Sequence, residues 1–165
     1  LDLLVHNAAL PLEPSRLLDL DWDQDVLPQV EVSALGFMNL VQSAAPLLTN
    51  GSRIIVLLTD SLFHTPPVQM GAYMAAKGAL WGLVRAAAKE FRQRGITVNS
   101  ISPSMVNTEL MANYPERARE IFAQDHPLGR LAEPEDVAKV IEALATGASG
   151  YMHGANVIVN GGAEF

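Results

Sequence analysis

"RIIVLLT", residues 53–59, is a run in which every position after the first is aliphatic or β-branched. A strand with one face in water alternates polar and apolar residues. This one does not, so it reads as a strand buried on both faces, as in a parallel sheet covered by helices. Working outward, Leu3-Leu4-Val5 is a shorter strand that stops at the polar His6-Asn7. Ile96–Ile101 (ITVNSI) is a third strand running into Ser102-Pro103, and Val157–Val159 a fourth, followed by Gly161-Gly162. Between the strands lie helical patterns. From about Asp23 to Leu48 apolar residues recur at Val26, Val30, Leu35, Met38, Val41 and Ala45, with Pro28 expected to start or kink that helix. Ala72–Arg94 reads as one long helix stopped by Arg92, Arg94 and Gly95. "AEPEDVAKVIEALAT" reads as another, with Pro134 in its first turn beside acidic residues. Residues 107–126 are polar and less regular. Strand-helix alternation of this kind predicts an α/β fold with a doubly wound parallel sheet, formed by residues 1–165 as a single domain.

The bulk properties narrow the function. A chain of 165 residues with 49% hydrophobic and 18% charged residues is long enough for one real core and is not a disordered composition. Its net charge of -7 argues against a nucleic-acid or anionic-membrane partner. It contains no cysteine, which removes disulfides, thiolate metal sites and thiol nucleophiles and fits a cytoplasmic protein. The apolar run Ile54–Leu58 is far short of a membrane span. His6, His64, His126 and His153 lack metal-ligand spacing.

In parallel sheets ligands sit beyond the carboxyl ends of the strands. Those ends carry His6-Asn7, Thr59-Asp60-Ser61 and Ser102-Pro103-Ser104. Nearby, "GAYMAAKGAL" (71–80) places Tyr73 and Lys77 four apart, on one face of the long helix. A phenol titrates near pH ~10 in water, and an adjacent ammonium favours phenolate. Such a pair can give a proton to a carbonyl oxygen or take one from an alcohol. The same spacing also arises by composition alone, and the pair by itself leaves that reading open.

Its context points further. "YMAAKGAL", "HNAA" (6–9), "GITVNSISPSMVNTEL" (95–110), "HPLGRLAEPEDVAKVIEAL" (126–144) and "YMHGANVIVNGG" (151–162) occur in an order and spacing that resemble the short-chain dehydrogenase/reductase family, specifically its FabG-like ketoreductases. The resemblance covers the whole chain. It implies a Rossmann-like sheet whose amino-terminal βαβ part, with the Gly-rich phosphate turn, is missing from this chain, so that residues 1–165 are the carboxyl-terminal portion. It implies an NAD(P)H-dependent oxidoreductase interconverting a carbonyl and a secondary alcohol, with NADP or NAD as cofactor. The substrate would be a small molecule, such as an acyl thioester. The protein would be a homodimer or homotetramer paired through the helix around Trp81. Tyr73 would be the general acid/base, and Lys77 would hold the ribose and depress the phenol's pKa. Asn7, Ala8, Ala9, Pro103, Val106 and Thr108 would lie against the dinucleotide, and residues 107–126 would form a flap over the substrate.

The departures from the family pattern matter equally. Its substrate-orienting serine, thirteen residues before the tyrosine, falls on Asp60, with Ser61 and Thr59 as neighbouring hydroxyls. An ionised aspartate cannot donate to a carbonyl and opposes a phenolate. Ser33 stands where many members place a relay asparagine, and Ala9 and Ser104 replace glycines. A second reading therefore stays open, a catalytically impaired member serving as a structural or regulatory partner. A third is a proton transfer by Tyr73 and Lys77 without nicotinamide.

Overall fold

The computed structural model describes residues 1–146 and 149–163. Four strands, β1 (Leu3–His6), β2 (Arg53–Leu57), β3 (Thr97–Pro103) and β4 (Asn156–Val159), form one parallel sheet in the order β1-β2-β3-β4. The register sets Val5 opposite Ile55, and Ile55 opposite Asn99. β2 explains its own composition. Ile54, Val56 and Leu58 face a core layer with Phe37, Leu80, Val84 and Phe91. Ile55 and Leu57 face the opposite layer with Ile101, Val137 and Leu144. Both faces are dry, so no polar position was needed.

The first layer comes from two helical runs. Residues 22–44 are continuously helical, but α1 (Leu27–Val30) and α2 (Gly36–Ala44) are each preceded by a wide π turn, at Trp22–Val26 and Glu31–Leu35. Pro28 neither starts nor breaks this run. The wider turn before it spares the helix the clash and the lost hydrogen bond that a proline imposes on a regular ladder. The second run is α3 (Gly71–Phe91), which tightens into a last turn at Arg92–Arg94 and stops at Gly95. α4 (Glu116–Asp125) forms within the stretch whose sequence looked irregular, and its buried-residue content is nil, which is why no apolar face announced it. α5 (Pro134–Ala145) covers the other face of the sheet through Val137 and Leu144. Segment 107–131 is clasped at its base by a bridge between Val106 and Ala132.

One histidine and one asparagine lock the far end. His153 accepts from Val98 N–H at 3.2 Å and its Nε2 donates to the Ala88 carbonyl at 2.7 Å. Asn99, 2% exposed, donates to the Met152 carbonyl and accepts from Ala155 N–H. Among the described residues no helix is long and apolar enough to cross a membrane.

Gly95 carries the turn from α3 into β3 with φ 66°, and a Cβ there would lie 2.1 Å from Asn50 Oδ1. Gly95→Ala should therefore cost about 2 kcal/mol in denaturant unfolding. Adding Asn50→Ala should recover part of that loss, because the clash is removed while the left-handed backbone strain stays.

Candidate active site

Because the strands are parallel, their carboxyl ends open on one side, and there lies a cavity of about 810 Å³. Its floor is made by Asn7, Thr59, Asp60, Ser61, Tyr73, Lys77 and Ser104. Its far wall is apolar: Leu12, Met70 and Met111 form a small core with Met105, Leu110 and Tyr114. Leu12 reaches that wall through a hydrogen bond from its N–H to the Leu110 carbonyl at 3.1 Å. Three segments remote in sequence thus enclose one volume of the size small-molecule sites use.

Tyr73 and Lys77 lie one turn apart at the start of α3, with the ammonium 5.8 Å from the centre of the phenol ring. Lys77 is 4% exposed, and its Nζ donates to the carbonyl of Leu57, the last residue of β2, at 2.8 Å. Burial of this cation pulls its pKa down to about 8. It remains mostly protonated at neutral pH. Tyr73 moves the other way. Burial of its phenol end pushes the pKa up to about 12; the hydroxyl of Thr59, hydrogen-bonded to it, pulls down, and the charge of Asp60 pushes up again. The expectation that Lys77 would leave the phenol unusually acidic is therefore corrected. At 5.8 Å from the ring the ammonium is turned toward the Leu57 carbonyl, and desolvation of the phenolate wins.

The hydroxyl beside the phenol is also not the expected one. Counting back from Tyr73 singles out Asp60 or Ser61, but Thr59 makes the contact. Thr59 is extended, with φ -153° and ψ 143°, and so prolongs β2 toward α3. Asp60 opens the 3-10 turn Asp60–Leu62, which carries Ser61 around the corner. Ser61 Oγ is 3.5 Å from Asp60 Oδ1 and its N–H reaches Thr59 Oγ1 at 3.4 Å. The loop between the hydroxyl and the tyrosine is one residue longer than assumed. Counting from the strand end, and not back from the tyrosine, would have found Thr59.

The other expected site residues divide. Asn7, Ala9, Pro103, Val106 and Thr108 line the cavity. Ala8 is exposed and is not among its lining residues. Ser33 is 1% exposed and lies beneath the site, where its carbonyl accepts from His6 Nε2 at 2.9 Å. That bond ties the π turn at Glu31–Leu35 to the end of β1. Burial lowers the pKa of His6, with the Ser33 hydrogen bond opposing and the charge of Lys77 adding to the lowering. Thr108 caps the short turn Glu109–Met111 by position but without a side-chain cap bond; its hydroxyl reaches back to the Val106 carbonyl at 3.5 Å. Ser104 Oγ is buried without a hydrogen-bond partner at the cavity's edge. Among the described residues no cluster of three His, Asp or Glu side chains could hold a metal ion.

Comparison with known proteins agrees along the whole chain. The sequence model of the family described as Enoyl-(Acyl carrier protein) reductase matches residues 1–164. The 3-oxoacyl-(acyl-carrier-protein) reductase FabG of Thermotoga maritima is 32% identical over 167 residues, an alignment covering 98% of this chain and 65% of the relative. The chain thus spans just under two thirds of that relative's length. Among solved structures, the short-chain dehydrogenase/reductase glucose/ribitol dehydrogenase from Brucella melitensis superposes with a TM-score of 0.90 at 26% identity, covering 100% of this chain and 66% of that one. The angucycline C-6 ketoreductase LanV with bound NADP superposes with a TM-score of 0.88 at 27% identity, covering 99% of this chain and 62% of that one.

The cost of holding Lys77 is measurable. A lysine whose folded pKa lies near 8 against 10.5 unfolded destabilises the fold by roughly 3 kcal/mol below pH ~8. That penalty fades as pH rises toward 10.5, because the unfolded chain then binds more protons than the folded one. Lys77→Met removes the penalty and orphans the Leu57 carbonyl, at about 1–2 kcal/mol. Unfolding at pH 7 should show the variant about 1–2 kcal/mol more stable, and its stability should lack the rise between pH 8 and 10.5. A variant less stable than the parent at pH 7 contradicts this account.

Proposed function

This chain belongs to the short-chain dehydrogenase/reductase family, and from that premise we propose that it works as an NAD(P)-dependent oxidoreductase interconverting a carbonyl and a secondary alcohol at Tyr73. The carrying observation is that Tyr73, Lys77 and Thr59 converge on one cavity at the carboxyl ends of the strands. Two converging hydroxyls are what a substrate carbonyl oxygen needs as it gains negative charge. Residues 1–165 act in this reading as a single domain, the carboxyl-terminal portion of the fold.

The cavity suits a dinucleotide's nicotinamide end. Lys77 spends one N–H on the Leu57 carbonyl and keeps two for ribose hydroxyls, and the orphaned Ser104 hydroxyl awaits a partner. Asn7, Ala9, Lys77, Pro103, Val106 and Thr108 would hold it along the strand ends. When bound, NAD or NADP supplies or accepts the hydride. The chain's own part is the proton. Thr59 orients the carbonyl oxygen, and Tyr73 donates its proton to that oxygen as the carbonyl carbon is reduced. A phenol pushed up to about 12 is fully protonated at neutral pH, the form that reduction requires. The Lys77 ammonium steadies the tyrosinate left behind. The apolar wall of methionines accepts an acyl or other aliphatic chain, so an acyl thioester suits it. The outer face of α3, exposed at Ala75, Gly78, Ala79 and Gly82, is smooth enough to pair with a second copy.

One observation favours the alternative, a catalytically impaired member that partners an active subunit: Asp60 raises the phenol's pKa where the family pattern leads to a serine. Carbonyl-reductase assays separate the two readings. Tyr73→Phe should abolish turnover, and Thr59→Ala should lower kcat by about a hundredfold, while Ser61→Ala stays within a few-fold of the parent. Unchanged turnover in Tyr73→Phe defeats the enzymatic reading. Alcohol oxidation, which needs the phenolate, should rise about tenfold per pH unit through neutral and mildly alkaline pH, whereas reduction should stay flat.

A further inference from the structure

We propose that a second, smaller cavity behind Tyr73 is a binding site for a small organic ammonium ion. The inference stands apart from the carbonyl-reductase reading, because it concerns a different cavity and is tested by binding alone.

This cavity, of about 180 Å³, lies where α1 and the π turn before it meet the start of α3. Pro11, Met70 and Tyr73 line both it and the reaction cavity, so these residues form the partition between the two. Its buried end is made by Gln29, 8% exposed, with Met70 and Ala72. Gln29 Nε2 donates to the Pro11 carbonyl at 3.0 Å, and Gln29 Oε1 is buried with no hydrogen-bond partner. Reversing the amide would set Oε1 against the Pro11 carbonyl, acceptor against acceptor, so the oxygen is held where it is. A buried acceptor left without a donor is destabilising. A ligand that donates to it removes the penalty.

The rim decides the charge of that ligand. Glu13, exposed, and Asp25, half-buried, both line the cavity. A hydrogen bond from the Asp21 N–H at 2.8 Å holds the Asp25 carboxylate in place. Among the described residues no lysine, arginine or histidine lines this cavity. Arg16, the cation nearest to Glu13 in sequence, is paired with Asp19 at 2.6 Å. One feature pulls the other way: α3 begins here without a side-chain cap, and a helix N-terminus carries about half a positive charge. Two full carboxylates outweigh it, and a cation is favoured over an anion. An ammonium brings three donors, enough for Gln29 Oε1 and both carboxylates. The volume admits a short alkyl group beside it and excludes a long chain or a nucleotide.

Methyl-13C-methionine NMR of the chain reads occupancy directly. Met70 lines both cavities, Met105 and Met111 line the larger one alone, and Met38 and Met152 line neither and report the fold. Ethylammonium, ethanol and acetate, similar in size and used at constant ionic strength, are the probes. Ethylammonium should shift Met70 at about a tenfold lower concentration than ethanol, with acetate weakest and with Met105 and Met111 unmoved. Gln29→Leu should raise the ethylammonium concentration required about tenfold. Glu13→Gln combined with Asp25→Asn should bring ethylammonium within about threefold of ethanol. Unchanged Met38 and Met152 signals establish that each variant is folded; should one misfold, the other decides. Ethanol or acetate shifting Met70 as readily as ethylammonium, Met105 and Met111 moving together with Met70, or an unweakened response in both variants overturns the proposal. So does a Met70 signal that none of the probes shifts, which leaves water as the partner of Gln29 Oε1.

Discussion

The Lys77 ammonium, buried and donating to the Leu57 carbonyl, is the contact on which the rest of the site depends. A buried cation is expensive, and the end of a parallel strand is one of few places where a carbonyl points out of the sheet to receive it. That bond clamps the first turns of α3 against β2. Once they are clamped, Tyr73 sits over the strand end and Thr59, extended beyond β2, meets its phenol. The cost is borne by a core that is apolar on both faces of the sheet, from Ile54 and Leu80 on one side to Ile55 and Val137 on the other.

The same site carries opposed electrostatic demands. Burial raises the phenol and lowers the ammonium, which keeps Tyr73 protonated and leaves Lys77 charged at neutral pH. Asp60 adds a negative charge at the edge of this pair. Beneath it, His6 donates to the Ser33 carbonyl, so the layer under the site is satisfied by a fixed side chain. These are departures in chemistry laid on an unaltered frame, as the superposition on the Brucella melitensis dehydrogenase at TM-score 0.90 makes plain. Frames persist because packing tolerates many sequences, whereas a site answers to single atoms.

Much was legible before any coordinates. β2 announced itself because burial on both faces leaves no room for alternation, and α3 because Gly95 could only be a stop. Tyr73 and Lys77 were legible because helical periodicity alone puts them on one side. α4 was not, since a helix that buries none of its residues fully prints no apolar stripe. The unbroken helical run through Pro28 was not legible either, because its accommodation lies in the width of a neighbouring turn.

Linear order was therefore enough to establish the alternation of strands and helices, the side of the sheet where polar residues collect, and the tyrosine-lysine pair, all of which follow from local periodicity. Which hydroxyl stands beside the phenol, which direction the phenol's acidity moves, and what His6 holds came only with the folded chain. Those outcomes depend on how loops of a given length close in space and on how much water is excluded around each group. Neither quantity is written at any single position.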